Sequence, residues 1–367
     1  MRLIIAAGGT GGHIYPAIAI AHEIKKQKKD CRLLFIGNRK GMEKKIIEES
    51  GYDFKGITAA GVKGKNLLKT ITGLIKIAIG CLESIQIFLT FRPNLVLGMG
   101  NYVSVPVIVI AVIFRVPVVL HEQNSVPGLV NRIFSKRAKK VLISFEDTRR
   151  YLPLKSNCVL TGNPIREEFI AVNRENAFQR LNLSIDKTTL LFIGGSQGAH
   201  SINEATTKFI DMVKKESISN LQIIWITGNK DFEMMCRNSQ NLESVGSKVV
   251  IYPFMKNIWD AYAVSQLVVA RSGATTITEI TSMGIASILI PFPKAIYDHQ
   301  MKNASVLFEK GASIILCDES LTGDVLFKTI VDLLNNRELL DKMGRSAKEL
   351  SKLDSTEIIA KEIVTIV

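Results

Sequence analysis

Short runs rich in valine, isoleucine and leucine recur along the whole chain, each followed by residues whose apolar positions come at helical spacing. RLIIAA, CRLLFIG, NLVLGM, VPVVLHE and KKVLIS read as strands in the first half. TLLFIGG, LQIIWITG, KVVIYPF, QLVVARS, ASILIPF and SIILCD read as strands in the second. Apolar runs without polar alternation are strands buried on both faces, so the pattern predicts parallel sheets covered by helices on each side. The arrangement repeats: LIIAAGGTGGHIYPAIAIAHEI and LLFIGGSQGAHSINEATTKFI both run strand, glycine turn, helix. An α/β chain of two doubly wound, Rossmann-like domains is expected. They join near LTGNPIREEF, where Pro164 biases Asn163 away from helix. The expected boundaries are 1–163 and 164–340, followed by a tail over 341–367.

A bilayer crossing needs about 20 consecutive apolar residues. VPVIVIAVIF stops at Arg115, and the apolar segment from Leu67 to Leu89 is interrupted by Lys69, Lys76, Glu83 and Gln86. No crossing is expected, whereas a position on a membrane surface stays open.

The chain has 367 residues, 47% hydrophobic and 22% charged, a globular composition. Cys31, Cys81, Cys158, Cys236 and Cys317 are odd in number and scattered, without a CxxC pair. Reduced thiols are expected rather than a disulfide framework or zinc site, and no secretory leader is expected. The net charge of +13 is unevenly spread. Through Asn163 there are 25 basic and 10 acidic residues, a balance of +15; the remainder has 22 and 24, a balance of −2. That asymmetry suits a polyanion or anionic surface facing the first half. Zinc ligands, an aromatic stacking motif and basic helix repeats are all lacking, so no nucleic-acid partner is expected.

The first glycine turn, AAGGTGGHIYP, fits neither familiar phosphate fingerprint. From Gly9 the third glycine of G-x-G-x-x-G is missing, CRLLFIGN ends without an acidic residue, and no Gly-Lys-Ser/Thr follows. A nicotinamide cofactor is therefore not expected. Such a strand-to-helix corner still lets ligands approach the backbone beyond the strand ends. His13, at the start of the following helix, is a candidate general base because its ordinary pKa lies near neutrality.

In the second half Ser196, in GGSQGA, is a candidate phosphate donor. Ser272 to Thr276, in VVARSGATTITEITSMG, put small residues at a helix start, where the macrodipole favours a diphosphate. Glu279 suits either the hydroxyls of a ribose or a helix cap. Pro291, Pro293, Asp298, His299 and Gln300 crowd another strand end. No DxD-like acidic pair stands at a strand end, so no metal or other cofactor is expected. The helix start, helped by Arg166 and small hydroxyl residues, carries the leaving-group charge.

GGTGGH, LGMGNYVS, LHEQNSVPGLVNR, TGNPIR, GGSQGA and RSGATTITEI follow one another in an order that resembles the MurG-type glycosyltransferases of peptidoglycan synthesis, over essentially the full length. The resemblance implies a GT-B fold, two Rossmann-like domains facing across a cleft, with a helix in 341–367 returning to the first. It implies inverting transfer of GlcNAc from UDP-GlcNAc to the MurNAc 4-hydroxyl of undecaprenyl-pyrophosphoryl-MurNAc-pentapeptide. Carried over by position, Ser196, Ala274 and Thr275 would hold the diphosphate, Glu279 the ribose, Met255 the uracil, and Gln300 the sugar. Thr10, Gly11, Gly12, Asn124 and Arg166 would reach the donor as well. His13 would be the base, with Glu122 as the alternative. Gly100, Asn101, Tyr102 and Ser104 would form the acceptor side.

The family pattern G-G-Y-V-S-G-P is broken here by Asn101 and Val105. Asn101 is expected to tolerate a left-handed turn and Val105 to strain it. A peripheral place on the cytoplasmic face of the membrane is also implied. Leu67, Leu68, Ile71, Leu74, Ile75 and Ile79 would meet the anionic surface, with Lys63, Lys65, Lys69 and Lys76 beside them. A related transferase with another lipid acceptor, or a UDP-GlcNAc 2-epimerase, would share the donor features.

Overall fold

The computed structural model describes residues 1–61, 67–195, 198–239 and 241–366, with 67–69 described by backbone alone. The chain forms two compact units: Met1–Arg166 with Asp354–Val367, and Glu167–Leu353. Each is built on an all-parallel sheet.

In the first unit, β1 (Arg2–Ala6), β2 (Arg32–Asn38), β3 (Asp53–Ile57), β4 (Leu95–Gly98), β5 (Val118–Glu122), β6 (Lys140–Ile143) and β7 (Cys158–Leu160) lie in the order β3-β2-β1-β4-β5-β6-β7. The helices are α1 (Gly11–Gln27), α2 (Glu43–Glu49), α3 (Leu67–Phe91), α4 (Ser104–Ile113) and α5 (Leu129–Phe134). Alternate residues of β1 serve opposite faces, as a strand requires. Leu3 and Ile5 pack with Ile14, Ala17 and Ile20 of α1, while Ile4 and Ala6 pack with Phe88 of α3 and Val107 of α4. β3 and β7, the two edge strands, are the ones without an apolar run in sequence. β3 alternates exposed and half-buried residues, and β7 is three residues long.

In the second unit, β8 (Thr188–Ile193), β9 (Leu221–Ile226), β10 (Lys248–Tyr252), β11 (Leu267–Ala270), β12 (Ala286–Leu289) and β13 (Ser313–Ile315) lie in the order β10-β9-β8-β11-β12-β13. Its helices are α6 (Glu168–Ala171), α7 (Arg174–Leu181), α8 (His200–Lys215), α9 (Phe232–Asn238), α10 (Ile258–Val264), α11 (Ala274–Met283), α12 (His299–Glu309), α13 (Gly323–Asn335) and α14 (Arg337–Glu349). Leu190, Phe192, Phe209, Trp225 and Val269 lie in one buried core beneath α8 and α13.

The segment 341–367 divides between the units. α14 stays in the second, Gly284 and Gly344 approaching closely enough that a Cβ on Gly344 would meet the Gly284 carbonyl. The last helix, α15 (Ser355–Val364), belongs to the first. There Ile359, Ala360 and Ile363 enter the core shared with α1, and Glu362 pairs with Lys140 at 2.6 Å. The division follows burial, since α14 has its own apolar stripe of Leu340, Met343 and Ala347 to cover.

Thr70–Phe91 within α3 is long and apolar enough to cross a membrane by length and composition, against the expectation from its interrupting charges. Its packing accounts for Glu83 among them. Gly73, Gly80, Ser84 and Phe88 face inward. Glu83 accepts from the Thr58 amide and pairs with Arg39 at 2.6 Å, tying the helix along the sheet. The outer face stays apolar: Ile71, Leu74, Ile75, Ile79, Leu82 and Leu89 are all exposed, Leu82 by 68%. Ile113 and Phe114, at the end of α4, are exposed too, with the Phe114 ring 5.9 Å from that of Phe88.

Candidate active site

In an open parallel sheet the crevice forms beyond the strand ends where strand order reverses. In the first unit this point lies between β1 and β4, in the second between β8 and β11. The glycine turns read from sequence follow β1, β8 and β11.

Beyond β1, Gly9 takes φ +83, a conformation suited to glycine. Gly8 has the Glu43 carboxyl against it, so close that a Cβ would clash with Oε1. Thr10 and Gly11 then open α1, placing His13 in its first turn with Nδ1 3.1 Å from Thr10 Oγ1. Across the switch point, Gly100 takes φ +80 and leaves room for the Asn131 amide. Asn101 is buried and its amide nitrogen donates to the Gly8 carbonyl (2.8 Å), while its Oδ1 accepts the Ser104 N–H (3.1 Å). The Ser104 hydroxyl donates to the Ala6 carbonyl at 2.9 Å. The Tyr102 ring sits over Gly9. Side chains of the β4–α4 loop thus fasten the β1–α1 turn.

The strain expected at Val105 does not arise, and Asn101 is not the residue that takes the left-handed turn. The left-handed residue of this loop is Gly100, with neither Asn101 nor Val105 at positive φ. Asn101 uses its side chain for hydrogen bonds, and Val105 lies inside α4.

Beyond β5, Glu122 is fully buried and ringed by donors. Oε1 accepts from the Asn124 N–H (3.0 Å) and side-chain amide (3.3 Å), and Oε2 from the Gly128 N–H (3.0 Å) and the Asn131 amide (2.8 Å). Burial pushes its carboxyl above the usual carboxylate range, opposed by these donors. Asn124 is therefore turned onto Glu122 as well. His121, also fully buried, is pushed down to about 4, chiefly by burial. Its Nε2 donates to the Gly162 carbonyl (3.4 Å) and Nδ1 accepts from Gln123 (3.0 Å), an arrangement that suits a neutral ring. The Arg166 guanidinium lies 4.9 Å over the Tyr15 ring, two residues beyond His13 on α1.

The second unit offers backbone where the first offers side chains. Gly194, Gly195 and Gly198 make the corner after β8. Gly198 is at φ +76, and a Cβ there would run into the Thr227 carbonyl. Ser196 lies outside the described residues. After β11, Gly273 precedes α11 in extended conformation. The N-cap residue, Gly273, has no side chain to cap with, and the first turn holds no acid to oppose the positive end of the macrodipole. Ala274 and Thr275 are its first residues; Glu279 is one turn further in and buried. The Ser272 hydroxyl donates to the Gln300 carbonyl (2.8 Å), and Gln300 Oε1 accepts the Phe292 N–H (2.9 Å). The loop between holds Tyr297 and Asp298, both at φ +55, a costly conformation of the kind that gathers at ligand sites. Met255, half-buried, follows the edge strand β10.

Several residues here carry no sequence signal of their own. Arg271 spans the ends of β11, β12 and β13, donating to the Ile290 and Pro291 carbonyls and Ser201, and pairing with Asp318. Glu43, His121 and Asn131 likewise act through partners distant in sequence. Lys63 and Lys65 lie outside the described residues, and so do the side chains of Leu67, Leu68 and Lys69. Among the described residues, no group of three or more His, Cys, Asp or Glu is placed to hold a metal.

The comparisons agree with this architecture. The glycosyltransferase family 28 N-terminal domain matches residues 3–143 and the glycosyltransferase family 28 C-terminal domain residues 189–359. A relative from Thermoanaerobacter sp. (strain X514), the UDP-N-acetylglucosamine–N-acetylmuramyl-(pentapeptide) pyrophosphoryl-undecaprenol N-acetylglucosamine transferase, is 40% identical over 367 residues, covering all of both chains. One of the same name from Geobacter sulfurreducens is 38% identical, covering 99% of this chain and 98% of its own. The crystal structure of Acinetobacter baumannii MurG superposes with TM-score 0.77 at 26% identity, covering 99% of each chain. A UDP-GlcNAc 2-epimerase from Neisseria meningitidis shares the fold alone, at TM-score 0.69 and 12% identity over the full length of both. Matched in both halves and to full-length relatives, the chain belongs to glycosyltransferase family 28, among its MurG-type members.

Proposed function

We propose that the chain transfers GlcNAc from UDP-GlcNAc to the MurNAc 4-hydroxyl of undecaprenyl-pyrophosphoryl-MurNAc-pentapeptide, with inversion at the anomeric carbon. The observation that carries this reading is the full-length identity of 40% to a relative named for that transfer. In it the second unit holds the donor. Ser196 and the Ala274 and Thr275 amides take the diphosphate, Glu279 the ribose, the Met255 backbone the uracil and Gln300 the sugar. Gly11, Gly12, Asn124 and Arg166 are the first unit's contribution. The start of α11, with Gly273 at its N-cap, supports the diphosphate assignment, because a helix N-terminus stabilises a developing negative charge without a resident metal.

His13 is the base, and Gly100, Asn101, Tyr102 and Ser104 form the acceptor loop. The four donors around Glu122 favour His13 over it, since a carboxylate serving as base would have to give up bonds that hold its own loop.

The reading includes peripheral docking on an anionic membrane through the exposed face of α3. A row of exposed Ile71, Leu74, Ile75, Ile79 and Leu82 suits the acyl boundary, and Lys76 the headgroups.

The test incubates the protein with UDP-GlcNAc and a short-chain analogue of the muramyl-pentapeptide lipid. Mass spectrometry should find product heavier by one GlcNAc, with UDP appearing only when acceptor is present. UDP release from UDP-GlcNAc alone would instead indicate epimerase-type chemistry, and tight donor binding without transfer a different acceptor.

A further inference from the structure

We propose that Thr10 is a positioning residue for His13, its hydroxyl oxygen accepting the Nδ1 proton so that Nε2 faces the acceptor hydroxyl as the base. This rests on the reading of His13 as the base and gives Thr10, beside its place among the donor residues, a part in acceptor activation.

Thr10 occupies the N-cap position of α1 with the extended backbone of a cap, φ −146 and ψ 157, yet its side chain makes no capping bond. Threonine at that position ordinarily accepts an amide of the first turn. Thr322 does so on α13, accepting the Val325 N–H at 3.2 Å. In α1 the His13 and Ile14 amides go to the Thr10 carbonyl instead, at 3.1 and 3.3 Å. The hydroxyl is turned onto His13 Nδ1, 3.1 Å away. The backbone beneath is fixed from two sides, by Asn101 on the Gly8 carbonyl and by Glu43 against Gly8.

A histidine base needs its second nitrogen oriented by a partner. With the proton on Nδ1, Nε2 carries the lone pair. As the acceptor oxygen bonds to the anomeric carbon, Nε2 takes its proton. The bond from that carbon to the UDP oxygen breaks, its electron pair leaving with the diphosphate. The resulting imidazolium still donates from Nδ1, so a hydroxyl acting as acceptor serves before and after proton uptake. The imidazolium then returns its proton to solvent.

The experiment uses the full chain with ¹⁵N-labelled histidine and compares Thr10→Val and Thr10→Ser with the unaltered protein. Because Thr10 caps nothing through its side chain, Thr10→Val keeps the fold. We expect kcat to fall about tenfold in Thr10→Val, the net worth of one hydrogen bond to a charged group. That fall should be seen at saturating donor whatever the change in UDP-GlcNAc Kd, the His13 nitrogen signals should shift from the Nδ1–H form towards the Nε2–H form, and Thr10→Ser should restore both kcat and the signals. A raised Kd with unchanged kcat at saturating donor, or unchanged His13 signals, overturns the proposal. Full activity in His13→Gln overturns the base reading and this proposal with it. Inactive His13→Gln beside unimpaired Thr10→Val overturns the role of Thr10 alone.

Discussion

The two strand-order reversals share a topology and differ in what they present. In the first unit the turn after β1 carries His13 and is fastened by the side chains of Asn101, Ser104 and Glu43. In the second, the described residues of the corner after β8 include Gly194, Gly195 and Gly198, and the helix after β11 has a glycine, Gly273, at its N-cap. Proton transfer needs a titratable group held in one orientation, whereas a diphosphate needs amides and a positive helix end. On the proposed reading one architecture serves both, because the strands fix the place and the loops supply the chemistry.

The largest test of this contrast is acid. His121 is held neutral in the first unit, its pKa depressed from 6.5 to about 4 by burial. Between those values the unfolded chain takes up a proton the folded chain refuses, so its share of stability is present above pH 6.5 and lost as pH falls to about 4. The loss reaches up to about 3 kcal/mol. Denaturant titrations across that window should flatten in His121→Gln; an unchanged slope would mean the buried ring does not govern acid lability. The raised pKa of Glu122 works in the opposite sense, which is why the difference between variants is the quantity to read.

Gly198→Ala comes next. At φ +76, with the Thr227 carbonyl in the way of a Cβ, it should cost about 2 kcal/mol in thermal unfolding and weaken UDP-GlcNAc binding. An unweakened Kd would detach the corner from donor binding.

Serine at Leu74, Ile75 and Leu82 should reduce partitioning to anionic vesicles about tenfold or more while leaving transfer to a soluble acceptor intact. Undiminished partitioning would remove α3 from the docking surface.

The smallest effect belongs to Asn101→Gly, which trades a side-chain fastening for the family's glycine. About 1 kcal/mol of stability and a severalfold fall in acceptor kcat/KM are expected, with donor affinity unchanged. A change in donor affinity would blur the division between the two reversals.

Eleven of the thirteen strands among the described residues stand out in the sequence as short apolar runs, the mark of parallel sheets buried between helices. β3 and β7 were missed because β3 mixes Asp53, Lys55 and Gly56 into its five residues and β7 is only three residues long. The span of α3 was legible as the apolar segment from Leu67 to Leu89, whereas the role of Glu83 as the tie to Thr58 and Arg39 was not. The glycine turns and His13 were legible as local patterns. The pairings Glu43 with Gly8, His121 with Gly162 and Arg271 with Asp318 were not, since each joins residues brought together by parallel crossovers. Asn101 was misread because backbone tolerance was weighed and hydrogen-bonding capacity was not.

The most direct measurement takes His13→Ala and determines, on one preparation, both the UDP-GlcNAc Kd by titration and kcat for transfer to the muramyl-pentapeptide lipid analogue. The account predicts kcat lower by about 100-fold or more with Kd unchanged, because the proposed reading makes His13 the base and does not count it among the residues that hold the donor. Transfer at the unaltered rate, or a loss explained wholly by weaker donor binding, would contradict it.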